Sequence, residues 1–202
     1  MYKSKGARLK IGLFGGTFDP IHCGHITTAL LIQEALELDQ VCMVPAGEPY
    51  LKSDKEVSSK KLRLAMVELA VANHERIFSA DIEIRRTGPS YTLDTVMCFQ
   101  KEGHDVVVVL GIDSVLSMPN WHNAEALWRH CRIVAVTRQG WDQGEIPQLL
   151  PDEAINGIDI LELETPDISS SKIRSFVREG MAIDHLVPDS VACFIRENGL
   201  YR

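Results

Sequence analysis

Two imidazoles three residues apart, His22 and His25, stand behind a glycine turn in the stretch IGLFGGTFDPIHCGH, residues 11–25. Glycines such as Gly15 and Gly16 let backbone N–H groups approach a ligand closely. A helix predicted to begin at Ile26 points its unpaired N–H groups and the positive end of its dipole at the same place. Around that terminus each histidine can donate a ring N–H to a phosphate oxygen, so the pattern suits anion binding. Two plainer readings stay open at this level. The pair could be surface histidines on a turn, or part of a metal site, although HxxH lacks an obvious third ligand and Asp19 is the only acidic residue nearby. The stretch is not the dinucleotide fingerprint, since GxGxxG is absent, nor a P-loop, since no GK[ST] follows the glycines.

These residues need a scaffold. Apolar runs predict strands at Lys10–Phe14, Val41–Pro45, Val106–Gly111 and Arg132–Thr137, with weaker ones at Phe78–Ile84 and Ile158–Glu164. Helices are expected at Ile26–Leu38, Ser58–His74 and Leu93–Lys101. Two short ones follow Ser171 and Pro188, the last stopped by Gly199. Within Ser58–His74, the spacing of Leu62, Met66, Leu69 and Asn73 predicts the buried face, with Lys60, Lys61, Arg63 and Glu68 elsewhere. Strands that are apolar throughout and alternate with helices belong to a parallel sheet covered on both faces. The expected architecture is α/β: a single Rossmann-like doubly wound domain over residues 1–202, with a mainly parallel sheet and C-terminal helices. Residues 1–10 read as a short basic lead, and the Gln/Pro/Gly-rich residues 139–151 as a surface loop. Ligands in such a sheet sit at the carboxyl ends of strands where the order reverses, and Phe14 delivers the glycine turn to that edge.

Composition narrows the partners. The chain has 202 residues, 45% hydrophobic and 24% charged, which suits one globular domain with a substantial core. A net charge of −7 argues against a broad basic surface for a nucleic-acid polymer, so any anion site must be local. Cys23, Cys42, Cys98, Cys131 and Cys193 are scattered with no CxxC pair, which fits a reducing compartment better than a disulfide framework or a zinc site. The longest apolar run, VVVVLGI at 106–112, is far shorter than a membrane span. A cytoplasmic location and no membrane partner are expected.

GGTFDPIHCGH resembles the signature of the HxGH nucleotidyltransferases, here as His22-Cys23-Gly24-His25. That phrase alone also suits phosphopantetheine adenylyltransferases. Four further segments narrow the likeness: GPSYTLDT at 88–95, LGIDSVLSMPNWH at 110–122, ISSSKIR at 168–174 and LVPDSVACFIRENGLY at 186–201. Together they resemble the nicotinate-nucleotide adenylyltransferase family, in the right order and over nearly the whole chain. Two positions depart from the family pattern. Leu51 stands where a PPHK-like segment has its histidine, although Lys52 is kept, and Ser171 replaces the threonine of ISSTxIR.

The resemblance implies adenylyl transfer from ATP to nicotinate mononucleotide. Direct in-line attack would give deamido-NAD and pyrophosphate, with magnesium on the ATP phosphates. The implied catalytic set is His22, His25, Lys52 and Arg174, donors to phosphate oxygens as charge builds on the leaving group. Gly15, Gly16, Thr17 and Phe18 would shape the phosphate turn. Gly111 and Arg138 would lie on the ATP side, with Ser170 and Ser171 making a second anion site at a helix start. Nicotinate mononucleotide would be held by Ser90, Tyr91 and Thr92, by Asp113 through a ribose hydroxyl and by Trp121 through ring stacking. No metal ligand is expected from the protein itself, ATP and nicotinate mononucleotide are the expected partners, and a homo-oligomer is left open. The nearest alternative is another HxGH enzyme acting on phosphopantetheine or nicotinamide mononucleotide. A non-catalytic nucleotide sensor is the alternative of a different class. His74, His104, His122, His130 and His185 have no motif behind them and read as surface groups.

Overall fold

The computed structural model describes residues 7–48, 57–138, 150, 152–155 and 157–202. Its six strands are β1 (Lys10–Gly16), β2 (Gln40–Pro45), β3 (Ile77–Ser79), β4 (Asp105–Gly111), β5 (Arg132–Arg138) and β6 (Ile158–Leu163). They form one sheet in the order β3-β2-β1-β4-β5-β6, and every pairing is parallel. The chain moves outward from β1 to β3 and then returns to start the other half at β4. The two halves therefore part between β1 and β4.

The helices are α1 (Cys23–Ala35), α2 (Lys60–Val71), α3 (Ile82–Arg85), α4 (Thr92–Lys101), α5 (Ile112–Ser117), α6 (Ala124–His130), α7 (Asp152–Ile155), α8 (Ser170–Arg178) and α9 (Asp189–Glu197), with a 3₁₀ turn at Met118–Asn120. Successive strand residues enter opposite cores, which is why the inner strands are apolar without alternation. On β4, Val107 and Val109 meet the core under α1, α2, α8 and α9. Val106, Val108 and Leu110 meet the core under α4, α5, α6 and α7. Gly12 in β1 makes room for Leu38, whose Cδ1 would lie 2.6 Å from an added Cβ.

Four expectations are corrected. Helix α1 starts at Cys23 rather than Ile26, because the His22 imidazole serves as its N-cap, and it ends at Ala35, just before Glu37 turns left-handed at φ 49°. The buried face of α2 is Arg63, Met66, Val67, Ala70 and Val71, while Leu69 is exposed. The expected strand 78–84 ends at Ser79. It is an edge strand with a single neighbour, paired over three residues, and the chain leaves it to turn into α3 with Glu83 inward.

His104 is likewise buried rather than on the surface, its Nδ1 accepting the Leu9 N–H at 3.3 Å. The short elements α5, α6 and α7 had no expectation attached. Lys52, Leu51, most of the basic lead (1–6) and residues 139–149 of the expected loop lie outside the described residues. No helix among the described residues is long and apolar enough to cross a membrane.

Candidate active site

At the carboxyl ends of β1 and β4, where the strand order reverses, a cleft of about 940 Å³ opens. Gly15, Gly16, Thr17, Phe18, His22, His25, Ser90, Thr92, Gly111, Asp113, Trp121, Arg138, Ser170, Ser171 and Arg174 all line it. Tyr91 does not. Its ring stacks on His122 at 4.2 Å, joining the turn before α4 to the loop that carries Trp121.

The glycine turn closes β1 against β2 through the Ala46 N–H, which donates to the Gly16 carbonyl at 2.9 Å. Phe18 (φ 50°) folds back beneath it and packs edge-on against Phe14 and His25, at 6.0 and 5.0 Å. An added Cβ on Gly16 would stand 2.9 Å from the Phe18 ring, so that glycine serves packing. Gly15 differs: it is exposed in the cleft, and a Cβ there would meet nothing within 4 Å.

His22 and His25 cap helix α1 reciprocally. The His25 N–H donates to His22 Nδ1 at 3.3 Å, and the His22 N–H donates to His25 Nδ1 at 3.2 Å. A ring nitrogen that accepts a hydrogen bond carries no proton, so each neutral ring holds its proton on Nε2. The rings stack face to face at 3.6 Å. Burial, and then the positive charge of Arg138, push His22 down to about 4, so it is a neutral N–H donor at physiological pH. Gly24 between them has its own reason: an added Cβ would lie 3.1 Å from two atoms of the His22 ring.

A second helix start faces the same cleft. Ser169 caps α8 by accepting from the Lys172 N–H at 3.2 Å, and Ser170 Oγ donates to the Pro20 carbonyl at 2.8 Å. Arg174 donates one arm to the Asp19 carbonyl at 2.7 Å and the other to Ser171 Oγ at 3.4 Å. On the rim, Arg138 pairs with Asp167. Two helix N-termini and two arginines thus face the cleft in a chain of net charge −7, beside Asp19, Glu83 and Asp113.

Several residues at the site were not singled out from the sequence. Arg63 is buried and donates to the Thr17 carbonyl. The Asp19 carboxylate accepts from the Tyr201 hydroxyl at 2.6 Å and from the Ser58 N–H at 3.1 Å, which pins the turn leading to the histidines. Asp19 lies within the signature and Tyr201 closes the 186–201 segment, but their pairing across 182 positions has no local signal. Glu83 and Thr95 also line the cleft, with Thr95 Oγ1 donating to Glu83 at 2.9 Å. Burial raises the Glu83 carboxyl above its ordinary value.

Residues 13–176 match the profile of a family described as cytidylyltransferase-like. A probable nicotinate-nucleotide adenylyltransferase of Dehalococcoides mccartyi is 40% identical over 200 residues, covering 96% of this chain and 97% of that protein. The chain belongs to the nicotinate-nucleotide adenylyltransferase family. Another relative of that name, from Geobacillus thermodenitrificans, is 39% identical across 95% of this chain and 86% of its own. The fold agrees with the Plasmodium falciparum nicotinic acid mononucleotide adenylyltransferase in complex with NaAD, at a TM-score of 0.72 and 19% identity, covering 96% of this chain and 98% of that one. The protein is therefore a nucleotidyltransferase, an enzyme of Rossmann-like fold.

For a nicotinate-nucleotide adenylyltransferase with this turn, Gly15→Ala separates folding from binding. The variant is expected to melt with the wild type, because its methyl group meets no protein atom. ATP binding should weaken about tenfold or more, since donors kept from a phosphate oxygen lose ~1–3 kcal/mol. Titration calorimetry checks this, and unchanged ATP affinity would remove the turn from the nucleotide site.

Proposed function

We propose that the enzyme transfers the adenylyl group of ATP to nicotinate mononucleotide, giving deamido-NAD and pyrophosphate by direct in-line attack. The observation that carries this reading is the reciprocal cap of His22 and His25. It fixes two imidazoles as Nε2–H donors at a helix start inside the cleft. Preorganised donors of this kind act where negative charge grows in the transition state, here on the departing pyrophosphate. Arg174, Ser171 and the start of α8 would hold the remaining phosphate oxygens, with Lys52 assigned there by the family pattern. The mononucleotide's own phosphate is the nucleophile, so the protein needs to supply geometry and charge but no covalent intermediate.

Magnesium fits as part of the nucleotide. Among the described residues no group of three His, Cys, Asp or Glu side chains could hold a metal ion, and the Asp19 carboxylate is committed to Tyr201 and Ser58. The ion would offset triphosphate charge. Binding of the phosphates themselves falls to the helix starts and arginines.

The acceptor pocket we assign to Thr92, Trp121 and Asp113. Trp121 is held by its indole N–H, which donates to Ser117 Oγ at 3.2 Å. Helix α4 begins at Thr92, and its N-cap Tyr91 supplies no side-chain cap bond, so N–H groups of the first turn can meet an acceptor. A carboxylate only accepts hydrogen bonds and gains from the helix dipole, whereas a carboxamide turns an NH₂ toward donors. Leaving such donors unpaired costs about 1–3 kcal/mol, so nicotinate mononucleotide should exceed the amide at least ~tenfold in kcat/KM. A panel of nicotinate mononucleotide, nicotinamide mononucleotide and phosphopantetheine with ATP and magnesium, scored by product mass, tests the reading. Equal use of acid and amide would overturn the pocket, and turnover of phosphopantetheine alone would overturn the assignment.

A further inference from the structure

Arg63 sits near the start of α2 with 1% of its surface exposed. Its guanidinium spans three backbone carbonyls: Ser58 at 3.0 Å, Thr17 at 2.8 Å and Gly47 at 3.0 Å. Thr17 belongs to the glycine turn, and Gly47 to the loop after β2. From Gly47 the bonding continues. Its N–H donates to Ser90 Oγ at 2.9 Å, joined there by the Glu48 N–H at 3.3 Å. Beside it the Glu83 carboxyl accepts from Thr95 Oγ1, in the first turn of α4, at 2.9 Å, and Ser90 and Gly47 favour its charged form. Hydrogen bonds thus run from the turn assigned to ATP through Arg63 and Gly47 to Ser90, beside the Glu83–Thr95 bond at the first turn of α4, assigned to the acceptor. The Ser90 hydroxyl oxygen accepts both of those N–H groups.

Buried ionisable groups are a costly way to pack helices, and apolar residues of similar volume often serve stability better. What a fully bonded polar chain offers instead is a single arrangement of the parts it joins. We propose that Arg63 and Glu83 act together as positioning residues, fixing the separation between the phosphate turn at Thr17 and the acceptor turn at Ser90–Thr92. The inference rests on the adenylyl-transfer reading, because a reaction between two bound substrates is what needs that separation held. Neither residue touches the reacting atoms in this scheme. Each half-site keeps its own contacts when the chain is broken, so affinity should survive while alignment is lost.

The test uses the full-length enzyme with Glu83→Gln, which is isosteric, and with Arg63→Lys, which keeps the charge but not the three-way fork. A misplacement of ~1 Å can cost ~10²-fold in rate, so kcat should fall about tenfold or more. KM for ATP and for nicotinate mononucleotide should each stay within about threefold, the pattern of an interaction realised only in the transition state. Amide NMR of the substrate-free protein gives a readout independent of activity. Glu83→Gln should shift the amides of Gly16, Thr17 and Phe18, and an Arg63→Met background should abolish those distant shifts. Shifts confined to residues 46–48 and 83–95, or a kcat within threefold of wild type in both single variants, would overturn the proposal. If Arg63→Met does not fold, Arg63→Lys replaces it in the NMR comparison. Failure of the wild type to adenylate nicotinate mononucleotide would instead strike the functional reading, leaving the NMR coupling to stand or fall by itself.

Discussion

His22→Asn is expected to lower kcat by ~10²–10³-fold, the usual cost of losing one preorganised donor to developing charge. Asparagine is chosen because it is among the best N-cap residues, so its Oδ1 can take over the bond from the His25 N–H that His22 Nδ1 now accepts. Helix α1 should therefore remain, and only the outward Nε2–H is lost. The pH dependence adds a second signature. His22 is held at about 4 in the folded chain against an ordinary 6.5, so it stays neutral where an exposed histidine would charge. A group with its folded value lowered binds its proton in the unfolded chain first. Wild-type stability relative to His22→Asn should therefore decline as pH falls from 6.5 toward 4, and be level above 6.5. The groups facing His22 are the stacked His25 ring and the Arg138 cation. Steady-state kinetics at saturating substrates and denaturant midpoints across that pH range check both halves. A kcat within tenfold of wild type would make His22 a helix cap and nothing more.

Gly47→Ala should damage stability and rate together. The added Cβ would lie 2.2 Å from the Glu83 carbonyl oxygen, 2.9 Å from its carbon and 2.9 Å from Ser90 Oγ. Two of these are backbone atoms, so no side-chain rotation relieves the clash. The loop after β2 must move away from α3, and it takes with it the carbonyl that Arg63 grips. Overpacking of this kind costs about 1–3 kcal/mol, and loss of the buried bonds adds to it. Urea denaturation and kcat are the measurements. A variant with wild-type midpoint and rate would mean that α3 and the loop are not in contact in solution. Gly15→Ala, one strand away, is the contrast, since it should spare the fold.

The sheet was legible because its chemistry is local: Val106 to Leu110 can be apolar throughout only if both faces are covered. The histidine pair and the glycine turn were legible for the same reason, as a short stretch of unusual residue types. What remained hidden depends on distant partners. Arg63 reads as a solvent-facing charge on α2 until Thr17 and Gly47 supply carbonyls on its buried side. Glu83 reads as a strand residue until Thr95 Oγ1 donates to it inside the cleft. The start of α1 was misplaced by three residues because imidazole is a rare cap.

The bond from Tyr201 to Asp19 joins positions 182 apart in the chain. Synthesis proceeds from the amino end at about 5–20 residues per second, so the signature turn is made roughly 10–40 s before its tyrosine partner exists. During that interval β1, β2 and α1 can pair and pack and the Ser58 N–H can reach Asp19, whereas the bond from Tyr201 has to wait. The histidine turn should be among the last parts of the chain to settle, and the ability to hold nucleotide should appear late and abruptly and not gradually as the sheet grows.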